Sequence, residues 1–246
     1  VLITGATGAI GAALALQYAA SGRTLILHGR DPARLDDLVR RCGARGASVI
    51  PLVLDLSHTE ELIPRLGRLC RETPVELAIV NAGVTHISTP EGEAWPEVDH
   101  VLEINLRAAL ATVSALLPAM RGRGQGQIAL VSSLAAYYGM PLTPAYSASK
   151  AALKAYGEAL RVRLAREGIA VNVVLPGFVK SPMSDAFPAA KPLMMTPERA
   201  ARIIRHGLAR NRPRIAFPFP LSWGAWWLSV LPAAVSERLL KIGGYG

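Results

Sequence analysis

Two cysteines in 246 residues are too few for a disulfide framework, and neither Cys42 nor Cys70 has a partner at metal-ligand spacing. Both fall in helical patterns and read as reduced thiols, so no metal site is expected. Acid is also scarce. Against 27 Lys and Arg stand 18 Asp and Glu, and the net charge of +9 calls for an anionic partner or surface. The basic residues come with no recognition motif and no aromatic-interleaved strand, which argues against nucleic acid. A membrane surface, an acidic carrier protein or a phosphorylated cofactor fits them better. The densest run sets Arg199, Arg202, Arg205, Arg210, Arg212 and Arg214 against one acid, Glu198. Internal repeats and linkers are missing too, so residues 1–246 read as a single domain.

Charge is absent altogether from residues 215–235, which carry Trp223, Trp226 and Trp227. Pro218, Pro220 and Pro232 break that stretch. Its uninterrupted part, Leu221–Leu231, would make a helix of about 16 Å against a hydrocarbon core of roughly 30 Å, too short to span. Residues 218–246 therefore read as an apolar helical extension. It either lies in a membrane interface or covers a substrate cavity or subunit contact. The location expected is cytoplasmic, with peripheral membrane contact as the variant.

What is present alternates strand and helix. Val1–Thr4 is a short buried strand running into Gly5-Ala6-Thr7-Gly8-Ala9-Ile10-Gly11, with a helix to about residue 20. Strand, glycine-rich turn and helix form a dinucleotide-binding unit: the glycines let backbone approach a pyrophosphate at a helix N-terminus. Strands follow at 24–28, 48–54, 76–80, 127–132, 169–175 and 214–217. Asp31-Pro32 opens a helix, Ser57-His58-Thr59-Glu60 has the form of a capping box, and Pro64 predicts a kink or late start. A long helical pattern over 97–121 carries Asn105 in its middle. The whole is an α/β chain, a Rossmann-type doubly wound parallel sheet.

The end of the second strand bears on cofactor choice. A carboxylate there would hold a ribose 2′-hydroxyl, whereas an arginine would hold a 2′-phosphate. Gly29-Arg30 stands there and Asp31 serves as a helix cap, so NADP(H) is favoured with NAD(H) as the alternative. On the helix over 144–167, Tyr146 and Lys150 lie one turn apart and share a face. A nearby ammonium is expected to lower the phenol's pKa enough for proton exchange with a carbonyl or alcohol. Ser133 follows the fifth strand, at the edge where open parallel sheets bind ligands.

In their order and spacing, Thr4-Gly5-Ala6-Thr7-Gly8-Ala9-Ile10-Gly11, Asp55, Asn81-Ala82-Gly83, Asn105, Ser133, Tyr146-Ser147-Ala148-Ser149-Lys150 and Pro176-Gly177-Phe178-Val179 resemble the short-chain dehydrogenase/reductase family over about residues 1–185. Ala9 stands where the common pattern has glycine, and the Gly5, Gly8, Gly11 spacing is similar to that of the extended members. The resemblance implies Tyr146 as general acid–base, with Lys150 lowering its pKa and holding the nicotinamide ribose. It implies Ser133 on the substrate oxygen and Asn105 holding a water in a proton relay. Thr4, Thr7, Ile10, Leu56 and Ala82 join the cofactor set, with Asp55 at the adenine, Asn81 and Gly83 at the adenosine ribose, and Pro176, Gly177, Val179 and Ser181 at the nicotinamide end. Residues 181–196 would be a lid, whose Met183, Phe187, Leu193, Met194 and Met195 point to a lipophilic or acyl substrate. Tyr137, Tyr138 and Met140 are candidate pocket walls. His86 and His206 read as solvated or packing side chains.

The function expected is ketone–secondary alcohol interconversion. A catalytically idle dinucleotide sensor or scaffold is the alternative, and a dehydratase or epimerase a narrower third. By resemblance, a homodimer or homotetramer forms through the helices carrying Asn105 and Tyr146.

Overall fold

The protein is described by a computed structural model covering residues 1–245. Gly246, the last residue of the apolar extension, lies outside the described residues. Among the described residues, seven strands, β1 (Leu2–Ile3), β2 (Thr24–Gly29), β3 (Ser48–Val53), β4 (Leu77–Val80), β5 (Gly126–Val131), β6 (Ile169–Pro176) and β7 (Arg214–Phe217), pair in parallel. Their order is β3-β2-β1-β4-β5-β6-β7, and it reverses between β1 and β4. That reversal opens a crevice at the carboxyl ends of the strands.

Among the described residues, ten α-helices connect and follow them: α1 (Ala9–Tyr18), α2 (Pro32–Gly43), α3 (Thr59–Glu72), α4 (Trp95–Leu102), α5 (Ala108–Arg123), α6 (Pro144–Leu164), α7 (Pro182–Ala186), α8 (Pro197–Ala209), α9 (Leu221–Leu228) and α10 (Ala233–Ile242). Side chains alternate across the sheet. Leu2, Ala78 and Val80 meet α3, α5 and α6 on one face. Ile3, Leu77 and Ile79 meet α1, α2 and α8 on the other. With both faces covered, central strands are free to be continuously apolar, as Leu77–Val80 is.

Local chemistry departs from sequence expectation in several places. Residues 57–60 make no capping box: His58 is the N-cap and its side chain caps nothing. The Ser57 hydroxyl and N–H both donate instead to Asp55 Oδ1, at 2.9 and 3.0 Å. α3 starts at Thr59 and runs through Pro64, so the start is not late. The helix expected over 97–121 is interrupted. Between α4 and α5, Glu103–Arg107 form one π-helical turn containing Asn105. The run Trp95–Arg123 is long and apolar enough to cross a membrane, but Val113, Leu116 and Met120 are packed in the core. Tyr146's helix ends at Leu164, followed by a short 3-10 turn. Within residues 181–196, where no regular element was expected, 182–186 are helical. The helix expected over 221–231 stops at Leu228.

Candidate active site

At the N-terminal end of the crevice the chain turns at Gly5, whose φ of +62° suits glycine. A Cβ there would lie 2.8 Å from Ala82 Cα. One on Gly11 would lie 2.3 Å from the Gly5 carbonyl oxygen. The turn is therefore closed down onto β4 and α1. Thr4 Oγ1 accepts from the N–H groups of Asn81 and Ala82, at 3.0 and 3.1 Å. Asn81 Nδ2 donates back to the carbonyls of Thr4 and Gly5, both at 3.1 Å. No side chain caps α1, which begins after Gly8. Its first N–H groups face the crevice as an anion site.

A cavity of about 610 Å³ runs from this turn to the C-terminal helices. Gly5, Thr7, Gly8, Ala9 and Ile10 line one end, and Arg30 and Arg34 lie beyond them. Arg34 was not singled out from the sequence. Its Nη2 donates to the Thr7 carbonyl at 2.9 Å, which fixes a guanidinium beside the turn. His28 was also missed, because one histidine in an apolar strand leaves the hydrophobic pattern intact. Its Nδ1 accepts from the Gly5 N–H at 3.1 Å, and its Nε2 lies 2.9 Å from the Leu54 carbonyl. That pairing assigns a neutral ring with the proton on Nε2, and burial lowers its pKa below 6.5.

Deeper in the crevice, Ser133 ends the loop after β5, and Tyr146 and Lys150 come from the first two turns of α6. All three line the same cavity. Ser133 Oγ accepts from the Ala135 N–H at 3.1 Å, and the Ser133 hydroxyl lies near enough to the Tyr146 phenol to favour its ionised form. Ser132 Oγ, donating to the Lys150 carbonyl at 2.7 Å, docks the helix on the strand.

The electrostatics correct one expectation. Tyr146 is not held below its ordinary pKa: burial pushes it up, and the nearby Ser133 hydroxyl opposes this only in part. Lys150 Nζ turns toward the end of β5, donating to the Val131 carbonyl at 3.0 Å, and sits 5.6 Å from the centre of the Tyr146 ring. Desolvation brings Lys150 itself from 10.5 down to about 8.

Asn105 is fully buried and does not line the cavity. Its Oδ1 accepts from the Val84 N–H at 2.8 Å. Its Nδ2 donates to the Val84 carbonyl and to Ser149 Oγ, at 2.9 and 3.1 Å. A Cβ on Gly83 would meet both Asn105 Oδ1 and Lys150 Nζ at 3.1 Å. The structure thus places Asn105 as a clamp on the loop after β4, with Lys150 across Gly83.

Among the other sequence candidates, Asn81, Ala82, Gly83, Pro176, Gly177, Val179 and Ser181 line the cavity. Thr4 and Gly11 shape the turn from outside it. Asp55 does not line it, whereas its neighbour Leu56 does. The Ser57 backbone N–H and hydroxyl hold the Asp55 carboxyl below its usual range. Ser181 caps α7, accepting from the Ser184 N–H at 3.1 Å. Tyr138, Met140, Met183 and Phe187 are walls. Tyr137 packs outside with Leu134. Met195 is in the core, and Leu193 and Met194 are exposed. His86 pairs with Glu97 at 2.8 Å. No metal-binding cluster occurs among the described residues. Nor does any Asp or Glu line the cavity; its charged groups are Arg30, Arg34 and Lys150. The exposed N–H groups, the close-packed glycines and this all-cationic lining fit a nicotinamide dinucleotide.

Comparison with known proteins agrees. The short chain dehydrogenase family matches residues 1–192. An uncharacterized oxidoreductase of Myxococcus xanthus is 34% identical over 94% of this chain and 92% of its own length. Estradiol 17-beta-dehydrogenase 11 of Rattus norvegicus is 29% identical over 98% of this chain and 81% of its own. A short-chain dehydrogenase from Sphingobium yanoikuyae, in complex with NADPH, superposes with a TM-score of 0.83 at 24% identity, covering 98% of this chain and 94% of that one. The chain belongs to the short-chain dehydrogenase/reductase family and is an oxidoreductase that uses a nicotinamide dinucleotide.

Proposed function

We propose that this enzyme reduces a ketone on a lipophilic molecule to a secondary alcohol, with NADPH as the preferred hydride source. The observation that carries the reading is that Ser133 and Tyr146 line one cavity whose far walls are apolar. A carbonyl oxygen entering between these two hydroxyls accepts from both. A nicotinamide held along Gly177 and Val179 would supply the hydride that the carbonyl carbon takes up. Tyr146 gives its proton to the oxygen as the carbon–oxygen π bond breaks, and Ser133 stabilises the charge that develops there. Burial raises the phenol's pKa, so in the resting site Tyr146 is protonated and can donate. Solvent returns the proton. Lys150, buried beside the ring, keeps a positive charge near the phenolate until it is refilled.

NADPH preference rests on Arg30 and Arg34, at the end of the cavity where a 2′-phosphate would lie. Asp31, the one carboxylate next to them in sequence, accepts from the Arg34 N–H and caps α2. The lipophilic substrate rests on Met140, Met183, Phe187, Leu228 and Leu240 in the walls. NADPH oxidation over ketones of rising chain length tests the reading, with Tyr146→Phe as control. Turnover that rises with lipophilicity, and falls about 10²–10⁴-fold in the variant while NADPH still binds, supports it. No turnover on any ketone, or undiminished turnover in Tyr146→Phe, refutes it.

A further inference from the structure

The cavity and the largest exposed aromatic patch share one helix. α9 turns Leu221, Gly224, Ala225 and Leu228 toward the cavity. Helical periodicity puts Trp223, Trp226 and Trp227 on its opposite side, where they are 59%, 38% and 43% exposed. Phe219, just before the helix, is 76% exposed. Their rings form one continuous surface, with centroids 6.4 Å apart for Phe219 and Trp223, 6.3 Å for Trp223 and Trp227, and 5.1 Å for Trp226 and Trp227.

The next helix extends the patch. Val235, Leu239 and Ile242 on α10 are exposed at a spacing that makes one stripe. Leu240, on another side of that helix, lines the cavity. Ser236 Oγ donates to the Leu228 carbonyl at 2.9 Å and joins the two helices. Arg238 and Lys241 flank the stripe, with Glu237 as the acid of the helix. After α10, the Tyr245 hydroxyl donates to the Ala190 carbonyl at 2.6 Å and ties the tail to the lid.

An exposed apolar surface of this extent marks a contact site. Its make-up selects the partner. Tryptophans beside cationic side chains match the chemistry of a headgroup layer, where the indole ring is buried and its N–H stays hydrated. A net charge of +9 draws the chain toward an anionic surface and sets two copies of it against each other. We propose that the outer face of α9 and α10 docks on an anionic lipid surface, and that lipophilic substrate passes from that surface into the cavity beneath. The second clause rests on the ketone-reductase reading; the docking does not.

The test is flotation of the full chain, loaded with NADPH, on phosphatidylcholine vesicles with and without phosphatidylglycerol. The variant replaces Trp223, Trp226 and Trp227 by serine; none of the three lines the cavity. Each tryptophan carries roughly 150–250 Å² of surface, so losing three half-exposed rings is expected to cut vesicle partitioning about tenfold or more. Arg238→Glu with Lys241→Glu should weaken flotation on the anionic vesicles specifically. In a Trp95→Phe background, vesicles should shift tryptophan emission to the blue. Turnover of a water-soluble ketone should be unchanged in the triple-serine variant, while turnover of a vesicle-dissolved ketone falls. Wild type that does not float, or a triple variant that floats equally well, overturns the docking. So does a wild-type dimer that dissociates in the triple variant while vesicles are ignored, because the face then belongs to a second copy. Flotation requires no turnover, so failure of the reductase reading and failure of docking are read separately.

Discussion

Lys150 is 3% exposed, and burial disfavours its ammonium more than the hydrogen bond to the Val131 carbonyl favours it. The gap between its ordinary pKa of 10.5 and about 8, at about 1.4 kcal/mol per pH unit, comes to about 3 kcal/mol. Below pH 8 the lysine is protonated in both folded and unfolded chains, and the full penalty applies. Between about 8 and 10.5 the folded protein gives up the proton while the unfolded chain keeps it, so stability rises with pH across that window. Lys150→Met removes the titration. The lost hydrogen bond to the Val131 carbonyl costs about 1–3 kcal/mol at every pH and offsets part of the relief. Urea unfolding of the two proteins, without nucleotide, from pH 7 to 10.5 isolates the effect, because every other titrating group is common to both. Wild type should gain about 3 kcal/mol relative to the variant across the range, and the variant should be inactive. A difference that stays flat with pH would refute the claim that the resting site holds a desolvated ammonium.

Arg34→Ala and Arg30→Ala should each lower kcat/KM for NADPH about tenfold or more, as expected for loss of a charge-assisted hydrogen bond, and leave NADH less affected; parallel steady-state assays with the two nucleotides decide it. Replacing Asn105 by alanine leaves the Val84 N–H and carbonyl unpaired and should destabilise the fold by roughly 2–4 kcal/mol, measured by urea unfolding. His28 has a folded pKa below 6.5, so as pH falls through 6.5 the unfolded chain takes up a proton that the folded one refuses. Wild type should therefore lose stability to acid faster than His28→Gln, and parallel acid dependence would contradict the neutral tautomer. Gly5→Ala, strained at φ +62° and pressed on Ala82, should abolish NADPH binding in a fluorescence titration.

Much of the architecture could be read from residues in order. The glycine turn, Asp31-Pro32 and Arg214–Phe217 each announce an element through local chemistry, and each element is found where they put it. What stayed hidden depends on partners far away in sequence. Ser57 has the form of a helix cap, but Asp55 competes for its hydroxyl. Asn105 shows as a polar residue in a helix; the π turn that aims its amide at Val84 leaves no sequence trace. The tyrosine–lysine spacing places two side chains on one face without saying where the ammonium points. Here Nζ meets the Val131 carbonyl, and burial shifts both groups toward their neutral forms. His28 is buried among apolar strand residues, and its bond to Gly5 appears only when β1 and β2 are paired.

The central claim is that the Ser133 hydroxyl and the Tyr146 phenol act on the same oxygen. Single-turnover hydride transfer from NADPH, measured for wild type, Ser133→Ala, Tyr146→Phe and the double variant, tests it most directly. Groups that work as one unit give a double variant little slower than the worse single variant. Losses that multiply would mean that the two hydroxyls act independently, and the assignment of the site would fall.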